Sequence, residues 1–330
     1  MYRKIMGFLE VWKENEHRKP LILQGARQVG KTYSILEFGR THYENVAYFN
    51  FETNPKLNET FEENISPDYL IPILSHIAGQ TIVKEKTLIV FDEVQLCERA
   101  LTSLKYFCED APDYHIIVAG SLLGVAVNRA KFSFPVGKVD MKTLYPMDME
   151  EFMLALGEDD LVEQIKKCFQ TDTPLPSALH DAAMQLYRQY LVVGGMPECV
   201  MQFAETKDYI LVRHTQDTIL ASYLNDMSKY NNLNEIKKTR LAYDNITVQL
   251  SKKNTRFQYK LIKKGGRASE FENAIEWLCL SGIVSQVYKV EQIKKPLENY
   301  RDIDAFKIYV SDLGLLCAKK DLAANDILYM

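Results

Sequence analysis

Eight consecutive residues near the amino end carry the strongest chemical signal in the chain: Gly25, Ala26, Arg27, Gln28, Val29, Gly30, Lys31 and Thr32. They fill the pattern GxxxxGK[ST], with the apolar run LILQ before and the helix-compatible TYSILEFGR after. Glycines let the backbone curl so that successive N–H groups face a phosphate, and a helix N-terminus behind the loop adds its positive end. Lys31 supplies a point charge for the β- and γ-phosphates, and the Thr32 hydroxyl a ligand for Mg²⁺. The segment therefore predicts a nucleoside triphosphate site.

Sixty-one residues beyond Lys31, the run TLIVFDE ends in two carboxylates. Beside a phosphate loop, Asp92 is placed to hold Mg²⁺ through water, and Glu93 to orient and deprotonate an attacking water. Glu52, at the end of VAYFNFE, is a weaker carboxylate candidate on the same rim. No NKxD motif that would read guanine occurs.

These groups need strands to present them. PLILQG, VAYFNFE, TLIVFDE and HIIVAGS are continuous apolar runs, and VDMKTL is a fainter fifth. Unbroken apolarity indicates strands buried on both faces, so residues 1–145 are expected to form a parallel α/β sheet flanked by helices. After Pro146 the texture turns helical. Asp148 and Glu151 suit a capping box, with Gly157 as the stop, and residues 146–226 are expected to be a helical lid or connector. Residues 227–330 are expected to be a winged-helix-like α+β unit. In it, Ser269 and Glu272 suggest a box opening a helix to Leu280, and IVSQVYKV and AFKIYVSD suggest a hairpin.

Composition sets the bounds. The chain has 330 residues, 47% hydrophobic and 25% charged, which fits a folded protein of more than one domain. Its net charge of −4 excludes a global basic field. The six cysteines form no CxxC pair, the charged amino end is no signal peptide, and no run of eighteen apolar residues occurs. A cytoplasmic protein without a membrane span is the expectation. One stretch runs against the net charge: residues 229–267 hold eleven Lys or Arg against Glu235 and Asp244. With Tyr230, Tyr243, Phe257 and Tyr259 interleaved, it is a candidate surface for a nucleic-acid backbone, or a basic face docking on protein.

In order, GARQVGKT, NFE, LIVFDEVQ, AGSLLG, FPVGKVDMKTLYPMDMEEF, YLVVGGMPE, YLNDMSKY and FKIYVSDLGLL resemble the bacterial and archaeal AAA+ ATPases that carry a C-terminal domain of unknown function. The resemblance spans nearly the whole chain. It implies a P-loop AAA+ core that takes ATP and Mg²⁺, with protein partners or self-association open. It also implies a γ-phosphate sensor at Ser121, after HIIVAG. Where many relatives have Gly-Arg, this chain has Gly137-Lys138, and lysine lacks the planar fork of an arginine finger. Arg129 is then the nearest substitute, with Arg99 a weaker one. Longer members carry a nuclease-like segment; no acidic-x-Lys cluster follows DLGLLCAKK, so no nuclease activity is expected. Three functions stay open on sequence: an ATPase that drives conformational change on a macromolecule, a slow ATP-gated switch, and an ATP-regulated DNA-binding protein.

Overall fold

The computed structural model describes residues 1–120, 135–229, 233–252 and 256–329. They divide into two compact units, Arg3–Tyr145 and Pro146–Met330 with Met1–Tyr2.

In the first unit, the five apolar runs become β1 (Leu21–Gln24), β2 (Asn45–Asn50), β3 (Thr87–Asp92), β4 (His115–Ala119) and β5 (Asp140–Thr143). All pair in parallel, in the order β2-β3-β4-β1-β5. Every residue of β3 and β4 is buried, which explains their lack of polar alternation. Helices α1 (Ile5–Glu14), α2 (Lys31–His42), α3 (Leu57–Glu63), α4 (Pro67–Ala78) and α5 (Glu98–Asp110) flank the sheet. Phe49, Phe51, Phe61 and Phe91 interlock at tilted or edge-on angles in the core beside β2 and β3. They hold the end of β3, and with it the acidic pair, in a fixed place.

His115 opens β4, buried against Trp12 of α1 and Tyr43 rather than in that phenylalanine cluster. Its Nδ1 lies 2.7 Å from the Tyr43 hydroxyl, and its Nε2 is buried without a partner. Burial, reinforced by Arg18 and Lys13, pushes its pKa down to about 4. The unfolded chain, with a histidine near 6.5, therefore takes the proton first. The stabilisation is complete above that value and drains away as pH falls towards 4. The stability advantage of wild type over His115→Gln should shrink by about 1–2 kcal/mol between pH 7 and 4.5. Urea melts at both pH values check this, and a constant difference would refute it.

The second unit begins with α6 (Met149–Ala155). Its Asp148–Glu151 capping box forms in both directions, and Gly157 follows at φ 82°. Then come α7 (Asp159–Gln170), α8 (Ser177–Val193), α9 (Pro197–Thr206), α10 (Tyr209–Lys229), α11 (Leu233–Leu250) and α12 (Ala268–Leu280). The antiparallel hairpin β6 (Val284–Val290) and β7 (Arg301–Val310) precedes α13 (Leu313–Lys319) and α14 (Ala324–Leu328). The expected apolar face of α12 (Phe271, Ala274, Ile275 and Leu278) is buried. The Ser269 box is not formed. The helix starts at Ala268 behind Arg267, so Ser269 falls inside its first turn, where it cannot cap.

One knot ties the early helices of this unit to its end. The buried Asp312 carboxylate accepts N–H bonds from Gly195 at 2.6 Å and Leu315 at 2.8 Å. A Cβ on Gly195 would stand 1.9 Å from the Met147 carbonyl oxygen, and one on Gly314 would stand 2.4 Å from that of Val193. YLVVGGMPE and VSDLGLL are thus two halves of one backbone contact. Burial raises the Asp312 carboxyl to about 6 against the pull of those N–H donors.

Candidate functional site

The loop from Gly25 to Gly30 joins β1 to α2 through left-handed or glycine-only conformations: Gly25 at φ 147°, Gln28 at 67° and Gly30 at 89°. The first-turn N–H groups of α2 have no intrahelical acceptor by the geometry of a helix, so they are available to an anion. Val29 and Ala26 are buried and anchor the loop from beneath. Lys31 curls over it, with Nζ donating to the Gly25 and Ala26 carbonyls at 2.8 Å each. Bonds of this length preset the ammonium over the loop; a phosphate would take them over.

Thr32 Oγ1 donates to Asp92 Oδ2 at 2.9 Å. Thr32 lies in the first turn of α2, behind the loop that follows β1, and Asp92 ends β3; the two strands are not neighbours, since β4 runs between them. The loop and the first acidic residue therefore meet at one end of the sheet. A hydroxyl and a carboxylate are hard oxygen donors, suited to magnesium, which takes most of its shell from phosphate and water. Among the described residues, no group of three or more His, Cys, Asp or Glu could hold a metal by itself.

Three contributors were not legible in the sequence. The Tyr48 hydroxyl, from β2, donates to the same Asp92 oxygen at 2.7 Å. Burial, more than its bonds, pushes Tyr48 up to about 12, so it remains a donor at neutral pH. Gln95 donates its amide to the Glu93 carboxylate. Glu93 itself sits at φ 52°, an uncommon conformation for a residue other than glycine, at the bend where β3 turns into a short 3-10 segment. Buried Arg3 donates to the Val29 carbonyl and the Tyr145 carbonyl, each at 2.8 Å, and so clamps the loop to the chain after β5. Only the doublet Tyr48–Asn50 at the end of a strand facing Asp92 could have hinted at the first of these.

The other expected residues fall as follows. Ser121 and Arg129 lie outside the described residues. Glu52 is exposed in the turn after β2. Arg99 donates to the Phe61 carbonyl at 2.7 Å, a structural tie to α3. Lys138 pairs with Glu109 at 2.9 Å, just before β5 begins. Because the sheet is parallel and the phosphate loop follows the far end of β1, Lys138 stands at the opposite end of the strands, roughly 15 Å away by strand rise. Within its own unit it cannot reach a nucleotide.

The basic segment is partly spent inside the chain. Lys238 pairs with Glu235, Lys263 with Glu270, and Arg240 donates to Ser228 Oγ. Tyr243 and Phe257 are buried, Tyr243 beneath Lys319 and Phe257 stacked on Phe306, so neither offers a face to a base. Tyr230 and Lys253 lie outside the described residues.

Residues 17–153 match the family model of an AAA domain. The first unit is thus similar to the AAA domains, and its five-stranded parallel sheet is the α/β fold of that kind. Residues 184–326 match a domain of unknown function, DUF8612. Among solved structures, a Walker-type ATPase of Pyrococcus abyssi aligns over 97% of this chain and 95% of its own, at 13% identity and a TM-score of 0.59. The ORC2 protein of Aeropyrum pernix aligns over 99% and 94%, at 12% identity and a TM-score of 0.46. At such identities the first likeness concerns the fold alone, and the second is too loose to argue from. No curated protein matches the chain. No helix among the described residues is long and apolar enough to cross a membrane.

Proposed function

We propose that the Arg3–Tyr145 unit binds Mg-ATP on the loop Gly25–Thr32 and hydrolyses it, and that the cycle drives conformational change on a macromolecular partner. The observation that carries this reading is the 2.9 Å bond from Thr32 to Asp92 across an intervening strand. It sets the hydroxyl beside Lys31 next to the strand-end carboxylate, close enough for both to serve one metal ion, which supports the reading. Thr32 directly, and Asp92 through water, would hold magnesium, which when bound neutralises charge on the phosphate oxygens. Lys31 trades its carbonyl contacts for phosphate oxygens. Glu93, steadied by Gln95, takes the proton of the attacking water. Ser121 is assigned to sensing the γ-phosphate and Arg129 to the transition-state charge.

Equilibrium titration with a fluorescent ATP analogue tests the binding step. Lys31→Ala removes a charge-assisted contact and should weaken affinity by about 30- to 100-fold. Equal affinity in the two proteins would move the site elsewhere. GTP serves as the base-selectivity control.

A slower, switch-like use of ATP is the second reading, and the position of Lys138 favours it. With Lys138 held by Glu109 at the far end of the strands, the transition-state charge within one chain rests on Arg129 alone among the candidates named, which fits slow turnover. Turnover that rises with protein concentration would point to a cation supplied by another copy.

A further inference from the structure

The second unit has a cavity of its own, unrelated to the phosphate loop. It lies between α12 and the β6–β7 hairpin, with a volume of about 450 Å³. That size is within the range of small-ligand pockets. One wall is aromatic: Tyr288 and Tyr259 pack against Phe306, with ring centroids 5.8 and 6.1 Å from it. The rim is acidic. Glu272 and Glu276 lie one turn apart on α12, and Asp304 lies on β7 across from them. Among the described residues, none of these three carboxylates makes an ion pair, although Lys263 nearby pairs with Glu270. All three are exposed at the mouth. No Lys or Arg lines the cavity, so its charge is set by these three carboxylates beside aromatic rings.

We propose that this cavity binds an alkylammonium cation: an amine carried on an aliphatic stem. The stem would lie on the half-buried Tyr259, which Phe306 backs, the aromatic ring would attract the positive charge, and the carboxylates would accept its N–H bonds. The chain already uses this chemistry, since Arg301 holds its guanidinium carbon 4.4 Å over the Tyr288 ring. Glu272 and Glu276, at the i,i+4 spacing of about 5–6 Å, match two amines separated by a few methylenes. Such a cation can come from a free polyamine or from lysine side chains of a protein segment, and the cavity chemistry is the same for both.

Titration calorimetry on the full chain, at near-physiological salt and without nucleotide, separates the outcomes. Spermidine is one probe and the peptide Ac-Lys-Ala-Ala-Lys-amide the other. At least one should bind saturably with a Kd below about 1 mM. The Glu272→Gln/Glu276→Gln double variant should weaken it by about tenfold or more, while Glu163→Gln, on an exposed site of α7, leaves it unchanged. Saturation by spermidine assigns the cavity to a free polyamine; saturation by the peptide alone assigns it to a lysine-bearing segment. No saturable binding of either probe overturns the proposal, as does an equal loss in the Glu163→Gln control.

Discussion

Replacing Glu93 by Gln is expected to abolish phosphate release while leaving ATP affinity within about twofold of wild type. Glu93 does not belong to the loop that would hold the phosphates. It stands one residue beyond Asp92, at a positive φ, with its carboxylate held by Gln95. The substitution keeps the shape and the hydrogen-bonding reach of the side chain but removes its basicity. Loss of a general base typically lowers a rate by about 10²- to 10⁴-fold. Malachite-green phosphate assays beside analogue titrations read both quantities. If wild type releases no more phosphate than Glu93→Gln, hydrolysis is not the function of this site and the switch reading takes its place.

Gly25→Ala should be the most damaging single-methyl change in the first unit. The new Cβ would sit 2.1 Å from the Leu144 carbonyl oxygen, at a φ of 147° that only glycine adopts easily. Neither partner can step aside. The Leu144 N–H is bonded to the Gln24 carbonyl at 2.8 Å, closing the β1–β5 ladder, and Arg3 grips the chain one residue later. Backbone strain of about 1–3 kcal/mol adds to an overpacking cost of similar size. The melting temperature should fall by several degrees and ATP affinity by more than about tenfold. Gly137→Ala is the matched control, because its Cβ would meet open space at φ 75°. Its cost should be about 1 kcal/mol with no effect on affinity. Binding by Gly25→Ala within about twofold of wild type would contradict the loop geometry.

Much of this site was legible because its signals are local. A phosphate loop must be contiguous to curl, so Gly25–Thr32 announces itself, and β3 declares its burial by unbroken apolarity up to Asp92. Strand pairing leaves no such local trace. That β4 lies between β1 and β3, and that Lys138 ends up at the opposite end of the strands, follow from crossovers that no short window contains. Arg3, Tyr48 and Gln95 escaped for related reasons. The first two act on segments distant in sequence, and an arginine at the third position looks like ordinary surface charge until it is found buried on two carbonyls. Capping gave one correct reading and one wrong one. Asp148 and Glu151 close their box at a real helix start, whereas Ser269 has the right spacing two residues too late. Aromatic residues in the basic segment misled in the same way, since Tyr243 and Phe257 serve the core.

One magnesium-bound triphosphate, shared between the loop and the acidic strand end, is the core of the proposed activity. A crystal structure with a non-hydrolysable ATP analogue and Mg²⁺ tests it most directly. The prediction is a metal about 2.1 Å from Thr32 Oγ1, bridging to phosphate, with Asp92 bonded to its water and Lys31 Nζ moved from the Gly25 and Ala26 carbonyls to phosphate oxygens. A nucleotide bound away from the loop, or a metal held without Thr32 and Asp92, would contradict it.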